Sequence, residues 1–265
     1  MVLLFAAHAR GQEEFAGVDA YVAQQTTRTT NVDRLAGELT QNFSAERDKV
    51  RAIFYWVATN VAYDVKRYRS RPNSKTFFYR TNAELIRKRQ RRLDKRNKRT
   101  LRTRSGICQD YADLFTALCT SVGISCQTVS GTVKKSSYQI GRLGASHAWN
   151  MVRIGDKDFL VDPTWASGYV DKRVTKFNFR FNDDYFLVDP EKLIYTHYPR
   201  QIHHQLLPLP IDRDTYCQLP ILDSYFLSSS VCDLSTNEDL LTDSLVCVQL
   251  GVSPTEEPIR VMLKD

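Results

Sequence analysis

"SGICQDYADLF", residues 105–115, places a cysteine just after a glycine and at the head of a run with helical periodicity. Tyr111, Leu114, Phe115, Leu118 and Val122 recur at i, i+3, i+4, i+7 and i+11, which predicts one apolar stripe on a helix. Gly123 follows the last of them, where a left-handed stop belongs. Cys108 therefore sits at the helix N-terminus, where free N–H groups and the helix dipole favour a thiolate. Most cysteines are small buried hydrophobes. Cys119, on the apolar side of the same helix, and Cys126, in an apolar stretch, fit that description. Cys108 does not, and a thiolate there becomes a nucleophile if a base lies nearby.

A base is offered by "SHAWN", residues 146–150, where His147 opens a strand with period-two patterning. Asp162 lies in the next strand, at "LVDPTW", beyond a tight turn at Gly155-Asp156. A two-residue loop there would set Ile154 opposite Lys157 and His147 opposite Thr164. Asp162 then falls on the face of His147 as its diagonal neighbour, roughly 7 Å away. A slip of one residue would turn it to the other face. Taken singly, a strand histidine is commonly structural and an Asp before Pro is commonly a turn residue. Together, Cys108, His147 and Asp162 supply what acyl transfer needs. A thiolate attacks, an imidazole moves the proton, and a carboxylate orients the imidazole and stabilises its cation. The N–H groups at the helix start can bind the oxyanion.

The 265 residues, 42% hydrophobic, allow one full domain and a smaller one. No apolar run reaches the roughly 20 residues of a membrane span. "MVLLFAAHARGQ", residues 1–12, resembles the tail of a signal peptide, which leads us to expect an extracytoplasmic protein, periplasmic or secreted. With six cysteines and no Cys-x-x-Cys pair, neither a disulfide scaffold nor a cysteine zinc site is indicated. Cys217, Cys232 and Cys247 leave room for a disulfide that sequence does not assign. The net charge of +7 is carried by one segment. "RKRQRRLDKRNKRTLRTR", residues 87–104, holds eleven Lys/Arg and one Asp, so the rest of the chain is slightly acidic. Leu93 and Leu101 are its only apolar residues, too few to pack, which predicts a solvated helix or mobile loop. The functional expectation for it is contact with a polyanion.

Elsewhere, residues 13–40 read as short helical pieces wrapping the domain. A helix starts from a Ser44 cap with Glu46 in its first turn and buries Val50, Ile53, Phe54, Val57 and Val61. Trp56 beside that stripe reads as core or cleft wall. A short helical signal at "TNAELI" precedes the basic run. "CQTVSGTV", "SHAWNMVRI" and "KDFLVD" read as strands, and residues 177–200 continue the same domain. Beyond a proline-punctuated stretch, "SLVCVQLGV" and "IRVMLKD" read as strands of a small β region, expected to be incomplete.

"RSGICQDYADLFTALCTSVGI" followed by "SHAWNMVRIGDKDFLVDPTW" resembles the transglutaminase-like superfamily, in its Gly-x-Cys helix start, His-Ala-Trp strand and Asp-Pro-Thr-Trp strand end. "KVRAIFYWVATNVAYD" is similar to the helix preceding that family's core, and "FNDDYFLVDPEKLIYTHYP" resembles the kyphoscoliosis-peptidase-like subgroup. The resemblance covers roughly residues 45–205. It implies an α+β fold with a papain/transglutaminase-like core, the nucleophile helix packed on an antiparallel sheet, and a small all-β C-terminal region. We divide the chain into a residual signal peptide (1–12), a transglutaminase-like domain (13–205, with the basic insert 87–104) and a β-rich region (206–265). The resemblance makes Cys108 the nucleophile, His147 the general base and Asp162 its orienter. No cofactor or metal is called for, and the calcium sites of animal transglutaminases have no visible counterpart. The long basic run before Cys108 departs from the family's short connection.

These residues imply a cysteine hydrolase or acyltransferase acting on peptide or amide bonds of protein substrates through a thioester. Two alternatives stand beside it: a protein-glutamine transglutaminase, in which an amine replaces water, and a non-catalytic interaction module on the same fold. Oligomeric state is not legible. Nucleic-acid binding ranks last, since no aromatic interleaves the cations as a stacking platform. Of the six cysteines, Cys108 should be alkylated fastest by iodoacetamide at mildly acidic pH. Mass-spectrometric mapping that found equal labelling of Cys108 and Cys119 in the folded protein would refute this.

Overall fold

The computed structural model describes residues 14–70, 78–135, 139, 141–171, 173–222, 227, 231–236 and 248–252. The export segment expected at 1–12 and the strand expected at "IRVMLKD" lie outside them.

Two short helices, α1 (Ala16–Ala23) and α2 (Val32–Thr40), come first, as the weak periodicity of that region suggests. α2 is capped by Asn31, whose side chain accepts the N–H of Arg34 at 2.9 Å. α3 (Glu46–Asn60) begins after Ala45 and not from a Ser44 cap; no side chain caps it, and Glu46 and Asp48 offset the dipole in its first turn. Its stripe of Val50, Ile53, Phe54, Trp56 and Val57 is buried, so Trp56 is core. Arg51 on the same helix is fully buried and paired with Asp19 (2.6 and 2.8 Å) and Asp183, which ties α1 and the chain near residue 183 to α3.

After β1 (Ala62–Tyr63) and α4 (Val65–Ser70), the basic run folds into α5 (Asn82–Thr103). It is one 22-residue helix that absorbs the "TNAELI" signal, capped by Thr81 accepting from the N–H of Glu84. The expectation of a wholly solvated segment is wrong for its carboxyl half. Asn97, Thr100 and Leu101 are buried there, and Arg96 and Arg99 reach carboxylates on the following helix. Two leucines are too few to hold a helix, and a count of apolar residues misses docking carried by charge. Arg104 ends α5 in a left-handed conformation (φ 50°), costly for a residue with a Cβ. Its guanidinium lies 4.2 Å from the Trp56 ring and donates to the carbonyl of Thr27 at 3.0 Å, which holds the turn.

β2 (Ser105–Gly106) pairs in parallel with β1 and leads into α6 (Cys108–Ser121). α6 ends as its sequence predicts: Gly123 takes φ 80°, and the N–H of Ile124 bonds the carbonyl of Cys119. β3 (Cys126–Val133), β4 (Ala145–Ile154) and β5 (Lys157–Val161) follow. The β4–β5 hairpin has the expected register, Ile154 opposite Lys157 with Gly155 at φ 61°. Pairing stops at Asn150–Val161, and the chain turns into α7 (Pro163–Ser167). Thr164 therefore lies on that helix and is not a strand partner of His147. Next come β6 (Gly168–Val170), β7 (Phe177–Phe179), α8 (Pro190–Leu193) and β8 (His197–Pro199). The main sheet runs β5-β4-β3-β8, antiparallel throughout.

α6 packs on β3 and β4, and its Tyr111, Leu114, Phe115 and Leu118 meet Trp56 and Val57 of α3 and Trp149 of β4 in one core. This is the α+β arrangement expected. α9 (Arg213–Gln218) is bound to the sheet by Lys134, whose buried ammonium donates to the carbonyls of Tyr216 and Leu219, both at 2.7 Å. β9 (Val231–Thr236) and β10 (Val248–Val252) form a two-stranded antiparallel sheet. β10 is the strand expected in "SLVCVQLGV", while β9 was not anticipated. Cys108, Cys119, Cys126 and Cys217 are free thiols. No described helix is long and apolar enough to cross a membrane.

The docking of α5 sets a stability prediction. Arg99→Ala strips a partner from a buried carboxylate and should cost about 1–2 kcal/mol, less than a fully buried pair because Arg99 is partly solvated. Lys95→Ala, on an exposed position of the same helix, should stay within about 0.5 kcal/mol of the wild type. Urea unfolding of the two variants checks both values.

Candidate active site

The site begins with how α6 starts. Ile107 at its N-cap has no side-chain acceptor to offer, and the cap comes from inside the helix: the N–H of Ile107 donates to the Asp110 carboxylate at 2.8 Å. Asp110 is fully buried and is also met by Arg67 and by Arg99 (3.1 Å), with Arg96 at 3.7 Å. Gly106 makes room for it, since a Cβ there would stand 2.6 Å from the Cβ of Asp110. Gly-x-Cys is thus a packing requirement: the residue two before Cys108 must have no side chain for the cap to close.

β4 brings His147 to Cys108, and Asn150 fixes that strand against α6. Its buried side-chain amide donates to the carbonyl of Ala112 and to Thr116 Oγ1, each at 2.9 Å. His147 and the Ala148 backbone both act on the Cys108 thiol and lower its pKa. His147 Nε2 lies 2.6 Å from Asp162 Oδ2, so Asp162 engages one of the two ring nitrogens. Asp162 is fully buried and acts as N-cap of α7: its Oδ1 accepts the N–H groups of Thr164 (2.8 Å) and Trp165 (3.0 Å). One carboxylate oxygen of Asp162 thus caps the turn into α7, and the other faces His147.

A residue that sequence reasoning missed completes the cluster. His197 Nε2 lies 3.1 Å from the same Asp162 Oδ2, and its Nδ1 is 2.8 Å from Thr196 Oγ1. It reaches the site because β8 pairs with β3 at Gly131, where a Cβ would stand 2.2 Å from the Tyr198 carbonyl and 2.5 Å from the Trp149 ring. His197 comes 35 positions after Asp162, and no local periodicity points to it; only the sheet order joins them. Trp149 and Trp165 close around it, with ring centroids 5.1 and 4.5 Å away. Lys135 Nζ lies 5.4 Å from the Trp165 ring centroid. The two imidazole nitrogens and the carboxylate oxygen lie within 4.8 Å of one another, a set that could converge on a cation. Their 2.6 and 3.1 Å spacings are those of hydrogen bonds, which already account for the donors.

The electrostatics follow from this wiring. Burial disfavours the charged form of each group, and the partners decide the outcome. For His147, the Asp162 charge and hydrogen bond and then the Cys108 thiolate outweigh burial, lifting its pKa to about 9. For Cys108, burial is opposed by the hydrogen bond and charge of His147 and by the Ala148 backbone, and the thiol falls below its ordinary value. Asp162, despite burial, is held well below the usual carboxylate range by His147 first and His197 second. His197 goes the other way: burial dominates, the His147 cation adds repulsion, and its pKa drops to about 4. The wiring thus favours a thiolate beside the His147 imidazolium, with His197 as a second, neutral imidazole on the same carboxylate. Cys119 is the contrast, a fully buried thiol pushed up by burial and by Cys126.

Because His197 is neutral in the fold and protonates near pH 6.5 when unfolded, the unfolded state binds the extra proton between those values. Stability should therefore fall as pH drops from about 6.5 towards 4, ahead of the loss from Asp162 at lower pH. His197→Gln keeps a donor for Asp162 and should flatten that slope. Urea titrations of both proteins across this window test it, and parallel curves would count against it.

The transglutaminase-like superfamily family model matches residues 33–163 of the chain. Kyphoscoliosis peptidase from Homo sapiens is 33% identical over 201 residues, covering 75% of this chain and 27% of that protein. The Mus musculus protein of the same name is 33% identical over 199 residues, with 74% and 27% covered. The chain thus spans about a quarter of the length of these relatives. Among solved structures, one described as a TGase is 18% identical, covers 61% of this chain and 36% of its own, and superposes with a TM-score of 0.33. Residues 33–163, which carry the Gly-x-Cys helix start, the His147 strand and Asp162, are a domain of the transglutaminase-like superfamily.

Proposed function

We propose that the chain is a cysteine hydrolase or acyltransferase that acts on a peptide or amide bond of a protein substrate through a thioester. The observation that supports this reading is the buried His147–Asp162 pair at 2.6 Å, with His147 lowering the pKa of the Cys108 thiol.

In this reading the Cys108 thiolate attacks the substrate carbonyl carbon and forms a C–S bond, and the carbonyl electrons move onto oxygen. The backbone N–H groups at the start of α6 face that oxyanion. His147, already an imidazolium, gives its proton to the leaving nitrogen as the C–N bond breaks, leaving a thioester. Neutral His147 then takes a proton from water, or from an amine in transamidation, as either attacks the thioester and expels the thiolate. Asp162 holds the Nε2–H tautomer and stabilises the cation throughout. His197 is a positioning residue: it bonds the same Asp162 Oδ2 that faces His147 and so helps hold the carboxylate in place.

Asp162→Asn keeps the size, removes the charge and offers an N–H where His147 needs an acceptor. The same kind of change in serine proteases costs about 10⁴ in turnover, and a thiol should lose less because it is the better nucleophile. The measurement is the alkylation rate of Cys108 against pH in both proteins. In the wild type a thiolate should persist well below the reference thiol pKa of about 8.5, and turnover should decline as pH rises through about 9, where His147 loses its proton. The Asn variant should move the alkylation profile upwards while circular dichroism shows an intact fold. Coincident profiles would remove Asp162 from the mechanism. Product analysis with glutamine peptides, with and without an added primary amine, separates hydrolysis from transamidation.

A further inference from the structure

Helix formation sorts the basic run into two faces. Arg96, Asn97, Arg99, Thr100 and Leu101 turn towards α6 and its carboxylates. Arg87, Arg91, Lys95, Lys98 and Arg102 are spaced 4, 4, 3 and 4 residues apart, and all five are exposed. At 100° per residue they fall within an arc of about 80°. At 1.5 Å per residue they form a row about 22 Å long. Glu84, one turn earlier, is neutralised by Lys88 at 2.7 Å, and Asp94 on the flank is engaged by Gln90 at 2.9 Å. At the amino end, Lys88 Nζ donates to the carbonyl of Phe78 at 2.6 Å and holds the preceding chain beside the row. Phe78 is 93% exposed there and Tyr79 50% exposed.

We propose that this face of α5 docks on the surface of an anionic lipid bilayer, its five cations on the head groups and Phe78 and Tyr79 at the acyl boundary. A rigid row of cations matches a plane of negative head groups, and two exposed rings beside it match the interfacial zone, where aromatic side chains are favoured. A single-stranded nucleic acid would use rings interleaved among the cations, and the rings here stand together at one end. Because the inner face of α5 is held by Asp110 and Asp113, the outer face is presented as a fixed surface and the docked helix need not let go of α6. This inference is independent of whether Cys108 is catalytic.

The test is flotation of the chain with phosphatidylcholine vesicles, with and without phosphatidylserine, and retention on double-stranded DNA in parallel. Binding should require phosphatidylserine and weaken with salt. Arg91→Glu should lower it by more than roughly fivefold, about what loss of one interfacial cation costs. Phe78→Ser should weaken it further at high salt. Arg89→Glu makes the same charge change on the opposite side of the helix and should retain most of the binding. Equal loss in Arg89→Glu and Arg91→Glu would reduce the effect to net charge and overturn the docking face. Absence of vesicle binding, or binding to DNA alone, would overturn the proposal outright.

Discussion

At the head of α6 a single buried carboxylate, Asp110, answers three demands at once. It accepts the N–H of Ile107 and so defines where the helix starts. Its charge draws Arg67 and Arg99 inward, which docks α4 and the carboxyl half of α5. Its bulk excludes any side chain at residue 106. A carboxylate without these partners would cost several kcal/mol to bury, so cap, basic helix and glycine stand or fall together. The direction of the Cys108 side chain is a consequence of that start. The basic insert is therefore part of how the thiol is positioned.

The second constraint is the saturation of Asp162. One oxygen takes two backbone N–H groups of α7, and the other faces two imidazoles. A carboxylate with that many donors stays ionised even in a dry interior. The two histidines around it diverge because burial dominates at His197, where the His147 cation adds repulsion, while Asp162 outweighs burial at His147. His147 lies between Asp162 and Cys108 and gains a proton, while His197 has Asp162 on one side and the Thr196 hydroxyl on the other and stays neutral. Two residues of one type thus take opposite states within 5.6 Å.

Much of this was legible in the chain because it is local. The α6 stripe and its Gly123 stop and the two-residue loop at Gly155-Asp156 are all set by neighbours a few residues apart, where periodicity and turn chemistry apply. Three readings failed. The helix expected to start from Ser44 starts one residue later, Thr164 lies in a helix capped locally by Asp162, and the solvated reading of the basic run failed on what lies across a packing interface.

What the sequence by itself determined is the main elements of the core and the candidate thiol, imidazole and carboxylate. Tertiary structure decided the rest. Arg96 and Arg99 look like surface charge until α6 presents Asp113 and Asp110 to them. His197 is one more aromatic-flanked residue until β8 pairs with β3 at Gly131 and carries it to Asp162. A buried charge is tolerated only where a partner arrives from elsewhere in the chain, and the folded sheet and helix order alone determine which partner arrives.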